Sequence, residues 1–268
     1  AEVAEAWDRV YWIMADTLIS AERGLYSTAG VSDGDVFRRL RVTDRVDDPS
    51  GAVLITVKAE DSVTFVAGQY VSVGVTLPDG ARQLRQYSLV NAPGAGELTF
   101  AVKPVAAEAD HPAGEVSNWI RANVVVGDLL DVTVPFGDLP TPGSAPVVLI
   151  SAGIGITPMI GLLEYLLAQA PDTDVQVLHA DRTEATHPLR DRQRELVDAL
   201  PSASLEVWYE YNRGLLNLDD VTLPEGAEVY LCGNNGFVQA VRAQLTSRGI
   251  PGDKVHCELF GPNDWLLD

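Results

Sequence analysis

Two glycine turns in the C-terminal half of the chain constrain its fold more than any other feature. Residues 151–158 (SAGIGITP) and residues 230–237 (YLCGNNGF) each follow a short apolar run and precede a segment with helical spacing. Strands that alternate with helices in this way predict an open parallel sheet with helices on both faces. Both turns would then stand at the carboxyl ends of strands and face one crevice, where such sheets bind ligands.

The N-terminal segment, residues 1–26, has the apolar spacing of a helix. Trp7, Tyr11, Met14 and Leu18 recur at intervals of three or four and share one face. The glycine-containing stretch after them ends the predicted helix.

The middle of the chain has the two-residue period of short strands, at residues 53–57 (VLITV), 71–75 and 98–102. Turn sequences separate these strands, and one helical insertion covers residues 115–121. Many short strands with such turns favour a closed antiparallel barrel or a sandwich.

These changes of period divide the chain into three parts. A helix and linker cover residues 1–34, a strand-rich domain covers 35–142, and an α/β domain with an open parallel sheet covers 143–268. The second boundary lies at residues 141–144 (TPGS), where the period changes.

Composition excludes several classes of function. The net charge of -19 makes nucleic acid an unsuitable partner, because phosphates bind to basic surfaces. No stretch approaches the ~18 uninterrupted apolar residues of a membrane span, and no signal peptide is visible. Cys232 and Cys257 are too few for an iron–sulfur cluster with four cysteine ligands and lack the spacing of metal ligands. These features indicate a reduced, cytoplasmic protein; an acidic docking face for a basic partner is the alternative use of the charge.

The first glycine turn has the chemistry of a phosphate-binding loop. Gly153 and Gly155 allow a tight turn and a close ligand, and the free N–H groups at the helix start attract anions. Because Pro158 stands where the dinucleotide fingerprint has its third glycine, a plain strand–helix turn is an open alternative. In the second turn, Gly233 is the equivalent glycine, and Cys232 taken alone is more often a small buried residue than a reactive one.

Two further motifs lie in the strand-rich domain. Residues 85–88 (RQYS) place Arg85 and Tyr87 on one face of a strand and Gln86 and Ser88 on the other. Arginine can bind a phosphate with two hydrogen bonds and tyrosine can stack on a flat ring, although a half-exposed barrel strand explains the same residues. Ser117, where the helical insertion begins, could hold another phosphate oxygen or simply cap the helix.

Together, in this order and spacing, these motifs resemble the ferredoxin–NADP reductase superfamily, and within it the reductase half of flavohaemoglobins. The likeness covers about residues 36–262 and includes the ending HCELFGP at residues 256–262. It implies an FAD-binding β-barrel followed by an NAD(P)-binding α/β domain. The segment 1–26 also resembles the last globin helix of a flavohaemoglobin.

The resemblance also implies roles for individual residues. Arg85 would bind the FAD pyrophosphate, Tyr87 would stack on the isoalloxazine, and Ser88 would bond near its N5. Phe260 would cover the other flavin face, and Glu258 would lie near the flavin. The implied catalytic residues are Tyr87, Ser88 and Glu258. The implied cofactor-binding residues are Arg85, Gln86, Tyr87, Ser88, Val102, Gly114, Val116, Ser117, Gly153, Gly155, Thr157, Cys232, Gly233 and Phe260.

The chain departs from the family pattern at the nicotinamide site. Ile156 stands where many flavohaemoglobins have Gln, and Asn234 stands where Pro usually follows Cys-Gly. No haem is expected, because a haem needs an axial ligand and none of the histidines lies on the N-terminal helix. Those histidines are His111, His179, His187 and His256.

The resemblance implies a flavin-dependent NAD(P)H oxidoreductase that passes a hydride from NADH to FAD and then electrons to a haem protein, an oxygenase domain or another acceptor. One alternative is the reductase portion of a nitric oxide dioxygenase. Another is a flavin-binding interaction module without turnover. NADH is favoured over NADPH because Asp181 suits ribose hydroxyls, although Arg182 could meet a 2′-phosphate and both could simply be solvated.

Overall fold

In a computed structural model of the chain, the described residues are 2–28, 31, 35–58, 63–94, 96–107 and 112–261. His111, Pro262 and most of the predicted linker at 29–34 lie outside them. Among the described helices, none is long and apolar enough to cross a membrane.

The predicted N-terminal helix is confirmed as α1 (Glu2–Thr28). Its predicted apolar face is exposed: Trp7 is 70% exposed and Leu18 is 68% exposed. Near the end of the helix, the Tyr26 ring lies 6.1 Å from the ring of Phe136, which connects α1 to the rest of the fold.

The middle of the chain forms a curled antiparallel sheet with the strand order β4-β3-β6-β1-β2-β5. Its described strands are β1 (Phe37–Asp47), β2 (Val53–Lys58), β3 (Tyr70–Thr76), β4 (Arg82–Ser88), β5 (Glu97–Val102) and β6 (Leu129–Thr133). A bridge between Leu89 and Phe100 brings the two edge strands together at one end, so the sheet forms the predicted barrel only incompletely. Helix α2 (Glu115–Asn123) is the predicted insertion and buries Val116 and Ile120 in the core of this sheet.

The C-terminal part forms the predicted parallel sheet, with the strand order β11-β10-β7-β8-β9. Its described strands are β7 (Val147–Ala152), β8 (Val175–Asp181), β9 (Ala203–Tyr209), β10 (Glu228–Gly233) and β11 (Val255–Leu259). The helices that accompany it are α3 (Ile156–Gln169), α4 (Arg190–Ala199), the short α5 (Glu210–Arg213) and α6 (Asn235–Ser247). The alternation of apolar strands and amphipathic helices accounts for this arrangement, since each face of the sheet is covered.

The two sheets share a hydrophobic cluster. Ala101 and Leu139 from the antiparallel part pack in the same buried cluster as residues of α3. Gly161 of α3 lies so close to the backbone after β4 that a β-carbon there would be 2.6 Å from the Leu89 carbonyl oxygen. This contact places the end of β4, with Ser88, directly against the parallel half.

Candidate functional site

The first glycine turn is a 3₁₀ turn, Gly153–Gly155, that leads straight into α3. Gly153 has a φ of 53°, which a residue with a side chain rarely adopts. A β-carbon on Gly155 would lie 2.5 Å from the Cys232 carbonyl oxygen. Thr157 is buried and its hydroxyl donates to the Ile154 carbonyl over 3.0 Å, so it stabilises the turn from within.

The second turn joins β10 to α6 and packs against the first. A β-carbon on Gly233 would lie 2.6 Å from the Phe237 ring. The Asn234 side chain caps α6, because its Oδ1 accepts the Phe237 N–H over 2.9 Å. The two departures from the family pattern thus have local roles: Asn234 caps a helix, and Ile156 is fully buried in the core.

A cavity of about 880 Å³ opens between these turns at the carboxyl ends of the parallel strands. It brings together four residues that the sequence predicted as cofactor ligands, namely Gly153, Gly155, Gly233 and Phe260. Asp181 and Arg182, the residues expected to distinguish NADH from NADPH, also line it. A cavity of this size, with backbone N–H groups at a helix start, can hold a nucleotide.

Cys232 lies beneath the cavity and is fully buried. Burial raises the pKa of its thiol well above the ordinary value, so the sulfur is a neutral thiol at neutral pH. Glu258 is its register partner on the neighbouring strand β11. Burial, and then the nearby Asp138 carboxylate, raise the pKa of Glu258 to about 7.

Glu258 also connects the two sheets. Burial, followed by the charge of Glu258, raises the pKa of the Tyr70 phenol. Tyr70 in turn pairs with Ser88 across β3 and β4. The predicted catalytic residues Ser88 and Glu258 therefore both lie near Tyr70, although they are 170 positions apart in the sequence.

The tetrad at residues 85–88 lies on β4, outside the lining of the cavity. The Tyr87 ring stacks on Phe100 with centroids 5.5 Å apart and an interplanar angle of 19°. The Tyr87 Oη and Ser88 Oγ atoms are buried and have no hydrogen-bond partner among the described residues. Buried hydroxyls are normally paired, so these two suggest a ligand that would supply the partners. Among the described residues, the Arg85 guanidinium donates to near neighbours, the Leu84 carbonyl over 2.7 Å and the Gln83 amide oxygen over 3.0 Å.

The start of α2 lies next to β4 and β5. A β-carbon on Gly114 would lie 2.7 Å from the Ser117 Oγ and 2.9 Å from the Val105 side chain, so any larger residue there would force these side chains to shift. The Ser117 hydroxyl accepts the Val105 N–H over 3.3 Å, which gives it a structural partner already. Val102 and Val116 are buried, so their side chains belong to the core and only their backbone could meet a ligand.

Lys103, which follows β5, also lines the cavity and was not among the residues predicted from the sequence. Its Nζ lies 4.0 Å from the position of a β-carbon on Gly153 and donates to the Thr186 carbonyl over 3.3 Å. Burial lowers the pKa of this ammonium, and Asp181 opposes the change. In the sequence, this residue is a single lysine directly after a strand, and such a lysine does not by itself indicate a site.

A buried polar network supports Asp181. Burial alone would raise the pKa of Asp181, but His179, the Thr186 hydroxyl and the Arg182 N–H lower it to about 2. The His179 ring stacks on the His187 ring with centroids 3.9 Å apart, and its Nδ1 hydrogen-bonds with the Ser151 hydroxyl over 2.8 Å. Burial lowers the pKa of both histidines, and the nearly buried Asp181 side chain lies with its Oδ2 3.9 Å from the His179 Nε2.

Comparison with known proteins agrees with this geometry. Residues 149–243 match the family model described as an oxidoreductase NAD-binding domain. The chain is 37% identical to a flavohemoprotein of Chromobacterium violaceum over 97% of this chain and 70% of that protein.

Two solved structures are also similar. A flavohemoglobin of Malassezia yamatoensis with bound FAD and heme superposes with a TM-score of 0.80 at 31% identity, over 96% of this chain and 68% of that one. The flavohem-like FAD/NAD-binding domain of nitric oxide dioxygenase from Vibrio cholerae has a TM-score of 0.77 at 32% identity, over 84% of this chain and 99% of that one.

Proposed function

This chain belongs to the flavohaemoprotein family, and we propose that it is an FAD-dependent NAD(P)H oxidoreductase that passes a hydride from a nicotinamide to FAD. The observation that carries the proposal is the pair of buried, unpartnered hydroxyls on Tyr87 and Ser88, next to the boundary with a nucleotide-sized cavity. A flavin-binding module without turnover is not favoured, because residues 149–243 match an oxidoreductase NAD-binding domain and the similar proteins are flavohemoproteins.

The residues of β4 and α2 fit FAD. The Tyr87 ring is already held flat by Phe100, so it can stack on an isoalloxazine without losing further side-chain freedom. The Ser88 hydroxyl would donate to or accept from the ring system, and Arg85 would exchange its neutral local acceptors for a pyrophosphate. Val116 and Ser117 would offer backbone N–H groups at the start of α2, whereas the Gly114 N–H already donates to the Val105 carbonyl over 3.0 Å, so Gly114 would serve by shaping the loop.

The cavity fits the nicotinamide dinucleotide. Its two glycine turns let the phosphate chain approach the backbone, and Lys103 adds a positive charge. Cys232 would support the nicotinamide as a neutral thiol beneath the cavity, and Phe260, which is 47% exposed, is free to cover or uncover a flat ring. Gly155, Thr157 and Gly233 would serve by shaping the turns.

When bound, the nicotinamide supplies a hydride, and the flavin accepts it and releases electrons singly. The protein's part is orientation, exclusion of water and control of one proton. Glu258 can hold that proton near neutral pH, because burial places its pKa at about 7. Tyr70, whose phenol is influenced by the charge of Glu258, lies opposite Ser88 across β3 and β4.

We propose that NADH is preferred over NADPH. Asp181 lines the cavity, and its carboxylate, although its side chain is only 4% exposed, is a fixed negative charge that would repel a 2′-phosphate more than ribose hydroxyls. Arg182 is the opposing influence. Asp181→Ser should lower the ratio of kcat/KM for NADH to kcat/KM for NADPH. An unchanged ratio would show that other residues of the cavity determine the preference.

For the electron acceptor we propose a haem in a globin partner or globin domain, with nitric oxide dioxygenation as the overall reaction. The family membership and the globin-like, exposed apolar face of α1 support this. We also propose a cytoplasmic location, in keeping with the two free cysteines and the acidic net charge. We further propose that the boundary between the two domains lies after residue 142.

An absorption spectrum recorded before and after anaerobic NADH tests the function. Purified protein reconstituted with FAD should show a flavin spectrum that NADH bleaches. A flavin spectrum that persists would favour the binding module, and failure to take up FAD would contradict the proposal altogether.

A further inference from the structure

Residues 181–189 connect β8 to α4 and are called here the 181–189 loop. The loop begins at the cavity wall with Asp181 and Arg182 and ends at Leu189, the residue that precedes α4. Two of its contacts come from the antiparallel part of the chain, far away in sequence.

Asp48, in the turn between β1 and β2, makes one of these contacts. Its Oδ1 closes its own turn by accepting the Ser50 N–H over 2.9 Å. Its Oδ2 accepts the Leu189 N–H over 3.1 Å, across 141 positions of sequence. A single carboxylate thus joins a hairpin turn of one sheet to the first turn of a helix on the other.

Leu189 needs such a contact, because its backbone is in the left-handed region with φ 53° and ψ 24°. Among the described residues it is the only one other than glycine with a positive φ. A branched side chain is disfavoured there and persists only where the surroundings determine the conformation. Leu189 is also buried, so relaxation would move an apolar side chain out of the core.

Lys103 makes a second contact from the antiparallel part. Its Nζ donates to the Thr186 carbonyl over 3.3 Å. The hydroxyl of Thr186 donates in turn to the Asp181 Oδ1 over 2.5 Å. The position of the Asp181 carboxylate at the end of β8 is therefore coupled to Lys103 through Thr186.

The opposite side of the loop is anchored inside the parallel half. His187 stacks on His179, and its Nδ1 hydrogen-bonds with the Tyr209 hydroxyl over 3.1 Å. At its other end, the loop is held by the burial of Leu189 and by the hydrogen bond from the Leu189 N–H to Asp48.

We propose that Asp48 is a positioning residue: from the antiparallel half it fixes the 181–189 loop and thereby sets the affinity of the cavity for the dinucleotide. This inference rests on the proposed function, since the cavity is taken as the dinucleotide site. The flavin-binding part of the chain would then help to shape a site to which it contributes only Lys103 directly.

The test compares Asp48→Ala with Asp79→Ala. Asp79 is a matched control, because its Oδ1 accepts the Ala81 N–H over 2.9 Å in the β3–β4 hairpin. Hydrogen–deuterium exchange should accelerate in residues 181–189 of Asp48→Ala and stay unchanged there in Asp79→Ala. The Kd for NAD⁺ should rise about fivefold to tenfold in Asp48→Ala alone, because a lost positioning hydrogen bond is worth about one factor of ten.

Asp48→Asn provides the second variant, because its amide keeps one oxygen that can accept an N–H. Its effects on loop exchange and on NAD⁺ affinity should lie between those of the unmodified protein and of Asp48→Ala. Unchanged loop exchange in Asp48→Ala, or equal effects in Asp48→Ala and Asp79→Ala, would overturn the inference. Absence of NAD⁺ binding by the unmodified protein would instead contradict the proposed function, while the exchange measurement would still decide the role of Asp48.

Discussion

A β-carbon on Gly155 would lie 2.5 Å from the carbonyl oxygen of Cys232, so the two glycine turns pack backbone against backbone. No side chain could move aside to make room, because the atoms in the way belong to the backbone of β10. The floor of the cavity is thus set by a contact that only glycine permits.

Gly155→Ala should therefore separate the two turns. We expect it to lower the free energy of unfolding by about 1–3 kcal/mol, the usual cost of overpacking, and to weaken NAD⁺ binding. Gly143→Ala is the matched control, because a β-carbon there meets nothing within 4 Å and its φ is not positive. Urea unfolding and NAD⁺ titration check both; equal stability of the two variants would contradict the packing argument.

Tyr87→Phe should have opposite effects on the free protein and on the flavin complex. It keeps the ring against Phe100 and deletes a buried hydroxyl that lacks a described partner, so the flavin-free protein should be as stable as before or more so. FAD affinity should fall about fivefold to tenfold if FAD pairs with that hydroxyl. Fluorescence titration with FAD measures this, with Tyr211→Phe at an exposed tyrosine as the control. Unchanged affinity would show that the hydroxyl is not a ligand.

Glu258 should make the fold less stable as the pH rises. Its pKa is raised from 4.5 to about 7, first by burial and then by Asp138. Between these values the unfolded carboxyl is ionised while the folded one is still protonated, so the free energy of unfolding falls across this window and levels off above it. Glu258→Gln should remove this slope and gain about 2–3 kcal/mol relative to the unmodified protein at pH 8. Denaturant titrations at pH 5 and pH 8 measure this difference. If the free energy of unfolding changed equally with pH in the two proteins, Glu258 would not have a raised pKa.

His187 should make the fold sensitive to acid. Burial, followed by His179, lowers the pKa of His187 from 6.5 to about 3. Its unfolded form takes up a proton below pH 6.5 while the folded form does not, so stability is lost as the pH falls through this window. His187→Phe preserves a stacked ring without a titrating group. From pH 7 to pH 5 the unmodified protein should lose about 2 kcal/mol more than the variant, as measured by urea unfolding. Equal losses would mean that His187 is not held neutral.

The sequence predicted the parallel half from its two glycine turns. The turn at residues 151–158 lies between a strand and a helix as predicted, and α3 begins within it at Ile156 because the 3₁₀ turn runs directly into the helix. The turn at residues 230–237 likewise joins β10 to α6. Strong local signals, an apolar run and a glycine, explain why these elements could be predicted.

Strands β1, β6 and β11 were not predicted, since their local patterns are weak. In β1 only Leu40 and Val42 are buried, between charged residues that point outward. Such strands form because distant partners complete their hydrogen bonds, as where Leu40 of β1 pairs with Leu130 of β6. No local pattern encodes this pairing.

The same reason limits the prediction of the site. The four motifs were found because each is contiguous, and the structure gathers the two glycine turns and Phe260 around one cavity. Lys103 and Asp48 were not identified, because their contacts with Thr186 and Leu189 join residues 83 and 141 positions apart. Contacts between two sheets depend on how the sheets pack against each other, and no local sequence pattern predicts that packing.

The central claim is that a nicotinamide in the cavity delivers a hydride to a flavin held by Tyr87 and Ser88. Anaerobic stopped-flow mixing of the FAD-loaded protein with NADH, or with NADH deuterated at the transferred position, tests it most directly. The account predicts that the flavin absorbance is bleached in a single turnover and that deuteration slows the bleaching. A flavin that stays oxidised in the presence of saturating NADH and NADPH would contradict it.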